Sequence, residues 1–147
     1  MPIPLDIRID QLREEDFASV RDLLTLFEDA GVAEEMNGRL AFLSKHPDQS
    51  LWVAKLDGHV IGFLGFRIRH NVEASSEYGE VSTIVVSESW RKKGVGQLLL
   101  SHAEALARQH GCIGLWLVSG FGREAEAHRF YESAGFSKTG FRFVKTL

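Results

Sequence analysis

Three consecutive cations and two glycines stand together in the middle of the chain, as Arg91-Lys92-Lys93-Gly94-Val95-Gly96. They follow an apolar, β-branched run and precede residues with helical spacing, so the glycines open a helix. The first amides of a helix have no intrahelical acceptor and carry partial positive charge from the helix dipole. Glycine lets an anion approach these amides, which predicts a cradle for a pyrophosphate. The alternative is a basic helix cap whose glycines only permit tight packing.

Two well-known phosphate-binding motifs do not fit this loop. A Walker loop needs Lys-Ser or Lys-Thr after its last glycine, whereas Gln97 follows Gly96. A dinucleotide-binding fingerprint needs a third glycine where Leu99 stands. The pattern therefore excludes these two nucleotide-binding classes but keeps the anion cradle.

The elements that must position the loop alternate between strand and helix patterns. The run Val81–Val86 predicts a central strand, and a stripe from Val95 to Leu106 predicts a long helix that ends at Gly111. The other expected elements are a strand at Leu5–Ile9, helices from Phe17 to Gly31 and from Glu34 to Lys45, a hairpin of Leu51–Leu56 and His59–Arg69 around Asp57-Gly58, a strand at Cys112–Val118, a helix that ends at Gly135 and a strand at Phe141–Val144. This order predicts a single α/β domain over residues 1–147 with a sheet of mixed direction. In the second hairpin strand, alternation places Val60 on the same face as Leu64.

A second conspicuous segment follows the glycine loop by about 35 residues: Ala127-His128-Arg129-Phe130-Tyr131-Glu132-Ser133-Ala134-Gly135-Phe136. Together with the Arg-x-x-Gly-x-Gly loop and the element order, it resembles the GNAT superfamily of N-acetyltransferases over nearly the whole chain. The resemblance implies the GNAT fold, with about six strands, a splayed central strand pair and about four flanking helices. The C-terminal half most resembles aminoalkylphosphonate and aminoglycoside acetyltransferases.

The resemblance also implies acetyl-CoA as co-substrate and a set of residues that hold it. Backbone groups would pair with the pantetheine arm, loop amides would hold the pyrophosphate, and a tyrosine would lie beside the thioester sulfur. These are, in turn, Ile84, Val85 and Val86; Arg91, Lys92, Lys93, Gly94, Val95 and Gly96; and Tyr131. Glu124 belongs to the predicted cofactor-binding set as well, at a position beside the pantetheine arm where the family often has Asn.

Acetyl transfer to an amine needs a base and benefits from an acid. An alkylamine with a pKa of ~10.4 is neutral in only about 1 molecule in 2,500 at pH 7. Glu80, eleven residues before Arg91, resembles the general base of several family members. The alternative is a strand-end glutamate in solvent. Tyr131 is expected to protonate the departing thiolate, and its alternative is a packed aromatic side chain.

The acceptor is predicted only as a small-molecule primary amine. Four acids and no Lys or Arg lie between His70 and Trp90, an arrangement that attracts cationic amines: Glu73, Glu77, Glu80 and Glu88. Arg67, Arg69 and Arg142 would instead hold an acidic group on the acceptor. For both sets a solvated surface is the alternative. A protein lysine or N-terminus as acceptor, and a non-catalytic acyl-CoA-binding module, remain the competing functions.

Composition narrows the possible partners, location and cofactors of the protein. A net charge of −3 argues against nucleic acid as a partner, and a signal peptide or a membrane-spanning run is not recognisable, so we expect a cytoplasmic protein. Cys112 fits a small buried hydrophobe better than a nucleophile, which favours direct transfer without an acyl-enzyme. The six histidines lack the spacing of metal ligands, so no metal is predicted. The aminoalkylphosphonate acetyltransferases that the chain resembles use a divalent cation, which leaves metal binding open. A homodimer is compatible with the sequence.

Overall fold

The computed structural model describes residues 6–25, 33–73, 77–119 and 124–147. These ranges contain five strands: β1 (Arg8–Gln11), β2 (Gln49–Leu56), β3 (His59–Arg69), β4 (Tyr78–Val86) and β5 (Gly114–Leu117). They also contain four α-helices: α1 (Phe17–Leu24), α2 (Ala33–Ser44), α3 (Val95–Gln109) and α4 (Glu124–Ser133). Short 3-10 turns at Glu14–Asp16 and Glu88–Trp90 precede α1 and α3. The predicted Leu5 and Gly31 lie outside the described residues.

The strands form one mixed sheet in the order β1-β2-β3-β4-β5. β1 to β4 pair antiparallel as a meander, whereas β5 lies parallel to β4 because α3 returns the chain across the sheet. The α/β class and the mixed sheet predicted from the sequence are confirmed.

Two apolar clusters cover the two faces of the sheet. On the first face, hereafter the α3 face, α3 buries Leu99 and Ala103 against Leu64, Phe66 and Val81. On the second, the α1/α2 face, helices α1 and α2 bury a separate cluster that includes Val20, Met36, Leu40, Val53 and Phe63. Helix α4 packs on the α3 face through Phe130 and Tyr131. A sheet with helices on both faces is how a mixed α/β domain buries its strands.

A β-bulge overturns the predicted alternation in β3. The β2–β3 register shifts between Ala54 and Lys55, which leaves Ile61 as an extra residue. Ile61 consequently packs with Leu64 on the α3 face, whereas Val60 packs with the cluster on the α1/α2 face. The expectation that Val60 shares a face with Leu64 was wrong, because one inserted residue reverses the facing of everything before it.

Two predictions near the C-terminal end also need correction. The strand expected at Cys112–Val118 covers only Gly114–Leu117, and its residues are partly rather than fully buried. The strand expected at Phe141–Val144 is not formed: residues 137–147 have no regular structure and are exposed throughout. A strand requires a neighbouring edge for its hydrogen bonds, and this segment lies against no other strand of the described chain.

Within the described ranges, no helix combines the length and apolarity needed to cross a membrane. Those same ranges place no group of three or more His, Cys, Asp or Glu side chains where they could hold a metal ion.

Candidate active site

The central strands β4 and β5 separate partway along their length. β4 pairs with β3 as far as Val86, but its pairing with β5 ends at Val81 opposite Leu117. Within the described chain, the stretch Ser82–Val86 therefore has no strand on its β5 side. Strand backbone groups alternate in direction, so amides and carbonyls of this stretch face the open wedge. The wedge confirms the predicted splay and leaves the backbone of Ile84, Val85 and Val86 without a strand partner on that side.

The N-terminus of α3 follows this open stretch of β4 after the 3-10 turn at Glu88–Trp90 and the cationic loop. Gly94 begins the helix in the left-handed conformation with φ of 88°, which glycine adopts without steric cost. The first helical hydrogen bond runs from Leu98 N to Gly94 O at 3.1 Å. The amides of Val95, Gly96 and Gln97 therefore precede the intrahelical ladder and are available to an anion. Lys92 also has a positive φ, 59°, which is uncommon for a residue with a side chain and marks a tightly shaped loop.

A cation is fixed beside these amides. The Nζ atom of Lys93 lies 5.0 Å from the centre of the Trp90 ring, within the range of a cation–π contact. Trp90 in turn packs against the core cluster on the α3 face. The indole thus holds the ammonium group near the helix N-terminus, where it adds to the positive end of the dipole.

Gly96 has a packing role against α4. A Cβ atom at this position would lie 3.0 Å from Cζ of Phe130, so glycine lets α4 approach the first turn of α3 closely. The tight-packing alternative therefore applies to Gly96, whereas Gly94 is explained by its backbone conformation. Both roles are compatible with an anion at the helix N-terminus, which stays a prediction.

Tyr131 lies on α4 among aromatic side chains. Its ring centre is 5.3 Å from that of Phe130 and 6.0 Å from that of Phe136, the latter edge-on. Burial raises the pKa of the Tyr131 phenol above its ordinary value of 10.0, because the charged phenolate is poorly solvated there. The side chain is thus both packed and kept protonated. It can donate a proton, so the acid role and the packing role are compatible.

Glu80 is buried, with 4% of its surface exposed, so it is not a strand-end glutamate in solvent. Both of its oxygens accept hydrogen bonds from Arg67 on β3, with Nε–Oε2 at 2.6 Å and Nη2–Oε1 at 2.9 Å. These hydrogen bonds raise the pKa of the Arg67 guanidinium, and burial opposes the shift. A carboxylate has about four acceptor sites, so this two-point contact leaves it with capacity for a water or an amine.

Glu80 and Tyr131 lie on opposite faces of the sheet, and Glu80 stands one residue before the point where β4 and β5 separate. A Cβ atom on the preceding Gly79 would lie 2.8 Å from the Phe66 ring, so position 79 faces α3 and Glu80 faces the other way. Trp116, paired with Glu80 on β5, also turns from the α3 face, because its neighbours Leu115 and Leu117 pack there. The gap between β4 and β5 connects the two faces. A thioester threaded through it would have Tyr131 on one side and Glu80 on the other.

The three arginines expected to hold an acidic group do not form one cluster. Arg67 is bound to Glu80, and Arg69 lies over the Trp116 ring with its Cζ 5.7 Å from the ring centre. Arg142 lies in the exposed segment after α4. Only Arg69 is both close to Glu80 in the sheet and exposed at its face.

The predicted acidic rim is also only partly present. Glu80 is buried, and the Oε1 atom of Glu77 lies 3.5 Å from Nδ1 of His70. Glu73 and Glu88 are exposed, which agrees with the alternative that they belong to a solvated surface. Glu124, which stands in for the family's Asn, is the exposed first residue of α4.

Cys112 lies just before β5 and is partly buried. Burial raises the pKa of its thiol, and the charge of Glu77 raises it further. Because the thiolate is the nucleophilic form, these surroundings disfavour covalent catalysis.

Sequence reasoning missed three contacts that shape the site: Arg67 with Glu80, Arg69 with Trp116, and Phe130 with Gly96. The first two depend on strand register, which a bulge between Gly65 and Phe66 alters. The only signal in the sequence was that Arg67 and Arg69 stand two residues apart in β3, which places both side chains on one face of the sheet.

Comparison with known proteins agrees with this geometry. The model of the acetyltransferase (GNAT) family matches residues 10–136. The chain therefore belongs to the GNAT family of acyltransferases, whose members use acetyl-CoA.

Among individual proteins, the chain is 32% identical over 101 residues to the aminoalkylphosphonate N-acetyltransferase of Salmonella typhimurium. The match covers 69% of this chain and 65% of that enzyme, so it spans less than two thirds of the relative's length. A solved structure described as a transcriptional regulator from Bacillus halodurans superposes with a TM-score of 0.88 at 19% identity, covering 96% of this chain and 99% of that one. The aminoglycoside N-acetyltransferase AAC(6')-Iy in complex with CoA gives 0.83 at 19% identity, covering 99% and 98%. At these identities the two structures show a shared fold.

Proposed function

We propose that this chain transfers the acetyl group of acetyl-CoA directly to the primary amine of a small molecule. The observation that carries the proposal is the open wedge of β4 beside the glycine-started N-terminus of α3. Together they offer an unpaired strand edge for an amide-containing arm and a positive helix end for a pyrophosphate. This arrangement suits an extended cofactor that has both an amide-containing arm and a pyrophosphate.

The chain's own groups bind and orient acetyl-CoA, which supplies an acetyl group activated as a thioester. Backbone groups of Ile84 to Val86 would pair with the pantetheine arm. Amides at the start of α3 would hold the pyrophosphate, with Lys93 fixed over Trp90 as a nearby counter-charge. Binding along both elements would bring the acetyl thioester to the wedge, with Glu80 on the side from which the amine would approach.

The amine must lose a proton before or during attack. At pH 7 the shortage of neutral alkylamine corresponds to roughly 4.6 kcal/mol, so a positioned base has a large obstacle to remove. Glu80, which faces away from α3 beside the start of the wedge, is the base we propose. Arg67 fixes its orientation, and its remaining acceptor sites would take the proton directly or through a water.

The thiolate that leaves must gain a proton or an equivalent hydrogen bond. Tyr131 lies on the opposite, α3 face of the sheet, and its raised pKa keeps the phenol protonated well above neutral pH. Phenol and thiol pKa values lie within about 2 units, so proton transfer to the sulfur is energetically accessible. The partly buried Cys112 takes no part, which fits transfer within a ternary complex.

The acceptor face favours a small amine that also carries an anionic group. Arg69 and Trp116 lie beside the Glu80–Arg67 pair, which offers a cation, an aromatic surface and a carboxylate within one short stretch of sheet. The curated relative acts on aminoalkylphosphonates, as its name states. We therefore place an aminoalkyl acid first among acceptors.

The test is an acceptor screen that follows released CoA thiol and confirms the acetylated product by mass spectrometry. The panel contains aminoalkylphosphonates, amino sugars and lysine peptides, each with and without a chelator. We expect turnover with small primary amines, highest for those bearing an acidic group. Turnover with peptides alone would identify a protein acetyltransferase instead. Tight acetyl-CoA binding without any transfer would identify a non-catalytic module.

A further inference from the structure

Helix α4 carries Tyr131 but buries little of its own surface. None of the residues Glu124–Ser133 is buried, and the side chains of Phe130 and Tyr131 that pack on the α3 face are only partly buried. Helix α3 differs, because six of its residues are buried in the core. Elements with few buried apolar contacts shift and open most easily. The position of α4 therefore depends on the few contacts that fix it to its neighbours.

Phe130 provides one such contact, with the first turn of α3. Its Cζ atom lies 3.0 Å from the place where a Cβ atom on Gly96 would stand, and the two adjacent ring carbons lie at 3.5 and 3.7 Å. The tip of the ring therefore points at Gly96 and fills the space that the absent side chain leaves. Because Val95 and Leu99 of the same helix are buried, this turn of α3 is a fixed surface on which α4 rests.

The ring of Phe130 also contacts Tyr131. The two ring centres are 5.3 Å apart, and the ring planes are tilted by 53°. A second ring, that of Phe136, lies edge-on at 6.0 Å. The amide of Phe136 donates to the carbonyl of Tyr131 at 3.0 Å, so this second contact is set within the segment itself. Phe130, in contrast, links Tyr131 to the first turn of α3.

We propose that Phe130 is a positioning residue: through its contact with Gly96 it sets where the hydroxyl of Tyr131 stands during acetyl transfer. The inference rests on the proposed function, because Phe130 acts only through the acid that protonates the departing thiolate. Catalysis depends steeply on geometry, and a misplacement of about 1 Å can lower a rate by roughly 100-fold. Leucine at position 130 lacks the ring carbons that reach Gly96 and leaves α4 without this support.

The first test measures Phe130→Leu in two backgrounds, wild type and Tyr131→Phe. In wild type we expect kcat to fall roughly 10-fold with little change in the Michaelis constant for acetyl-CoA, because the acid is displaced while the cofactor contacts remain. In the Tyr131→Phe background the same substitution should change the residual kcat less than about twofold, since no hydroxyl is left to position. The melting temperature should fall equally in both. An equal loss of kcat in both backgrounds, or no loss in wild type, would overturn the proposal.

Phe17→Leu on α1 is the matched control for this substitution. Phe17 is also a partly buried phenylalanine, but it packs with the cluster on the α1/α2 face. Its replacement should lower the melting temperature and leave kcat within about threefold in both backgrounds.

Phe130→Tyr perturbs the same contact in the opposite direction. A hydroxyl on Cζ enters the space beside Gly96 and pushes α4 away from α3. This variant should also lose kcat in wild type, with little further loss after Tyr131→Phe. Full kcat in Phe130→Tyr would refute the contact with Gly96 as the feature that places Tyr131.

The second test needs neither cofactor nor turnover. Tyr78→Phe leaves Tyr131 as the sole tyrosine, so the phenolate absorbance of the unliganded protein reports this residue alone. Burial raises the pKa of the Tyr131 phenol above 10.0, and Phe130→Leu should lower it toward that value because the displaced phenol gains water. A titration midpoint unchanged in the folded variant, as we expect for Phe17→Leu, would overturn the positioning role. A lowered midpoint would support that role even in a chain that acetylates no amine, so failure of the proposed function can be told apart from failure of this inference.

Discussion

Replacing Tyr131 by Phe separates the catalytic role of its hydroxyl from the packing role of its ring. The variant keeps the ring contacts with Phe130 and Phe136 at 5.3 and 6.0 Å and removes only the oxygen. Loss of one hydrogen-bonding group changes stability by about 0.5–1.5 kcal/mol, which shifts the melting temperature of a domain this size by only a few degrees.

The effect on rate should be larger than the effect on stability. A general acid acts on the departing thiolate, so its contribution appears in the transition state and not in binding of acetyl-CoA. We expect kcat to fall by roughly 10- to 1,000-fold, or about 1.4 to 4 kcal/mol in activation free energy. The Michaelis constant for acetyl-CoA should change little.

The pH dependence of the rate gives an independent test of the acid role of Tyr131. Because burial raises the pKa of Tyr131 above 10.0, the phenol is protonated through the neutral range and its contribution should persist to pH 10. Initial rates and melting curves of wild type and variant, from pH 6 to pH 10, measure both quantities. The same stability loss with unchanged kcat would refute the acid role, and a higher Michaelis constant with normal kcat would assign the hydroxyl to binding the sulfur.

Tyr78, the other tyrosine of the chain, provides the matched control. Its ring packs near Gly114, where an added Cβ would lie 2.5 Å from it, and Tyr78→Phe keeps that packing. We expect a change of less than threefold in kcat, smaller than any effect that requires a general acid. An equal loss of rate in both variants would show that the effect of Tyr131→Phe is not specific.

Three further predictions follow from the site. Glu80→Gln should lower kcat at neutral pH and recover part of it at alkaline pH, where neutral amine is abundant, and an unchanged rate-versus-pH profile would reject Glu80 as the base. Gly96→Ala should lower the melting temperature because its Cβ would meet Phe130 at 3.0 Å, and adding Phe130→Leu should restore stability; if the anion also approaches Gly96, titration calorimetry should show weaker acetyl-CoA binding in both variants. Cys112→Ser should retain full kcat, since the raised thiol pKa keeps this group out of the chemistry; its loss would indicate an acyl-enzyme.

The elements closest to the cofactor were predictable from sequence because their signals are local. The β-branched run of β4, the apolar stripe of α3 and the glycines before it each lie within one element, and the structure places all three as expected. The splayed strand pair followed from the family resemblance. The structure then showed where the splay begins, after Val81.

The features that sequence reasoning missed depend on contacts between distant segments. The bulge at Ile61 changes which face Val60 occupies, and it is set by pairing with β2 rather than by β3 alone. The Arg67–Glu80 pair requires the β3–β4 register, which contains a second bulge. Phe141–Val144 has the residue preferences of a strand, but preference alone does not provide an edge to pair with.

The central claim is that acetyl-CoA binds along the open edge of β4 and the N-terminus of α3. Amide hydrogen exchange with and without acetyl-CoA, read by NMR or at peptide resolution, tests it most directly. If acetyl-CoA binds there, exchange should slow in residues 82–97, at the amides facing the wedge and in the first turn of α3, and should not change in Arg8–Gln11 of β1. A raised melting temperature with protection confined to other parts of the sheet, or no response to acetyl-CoA at all, would contradict it.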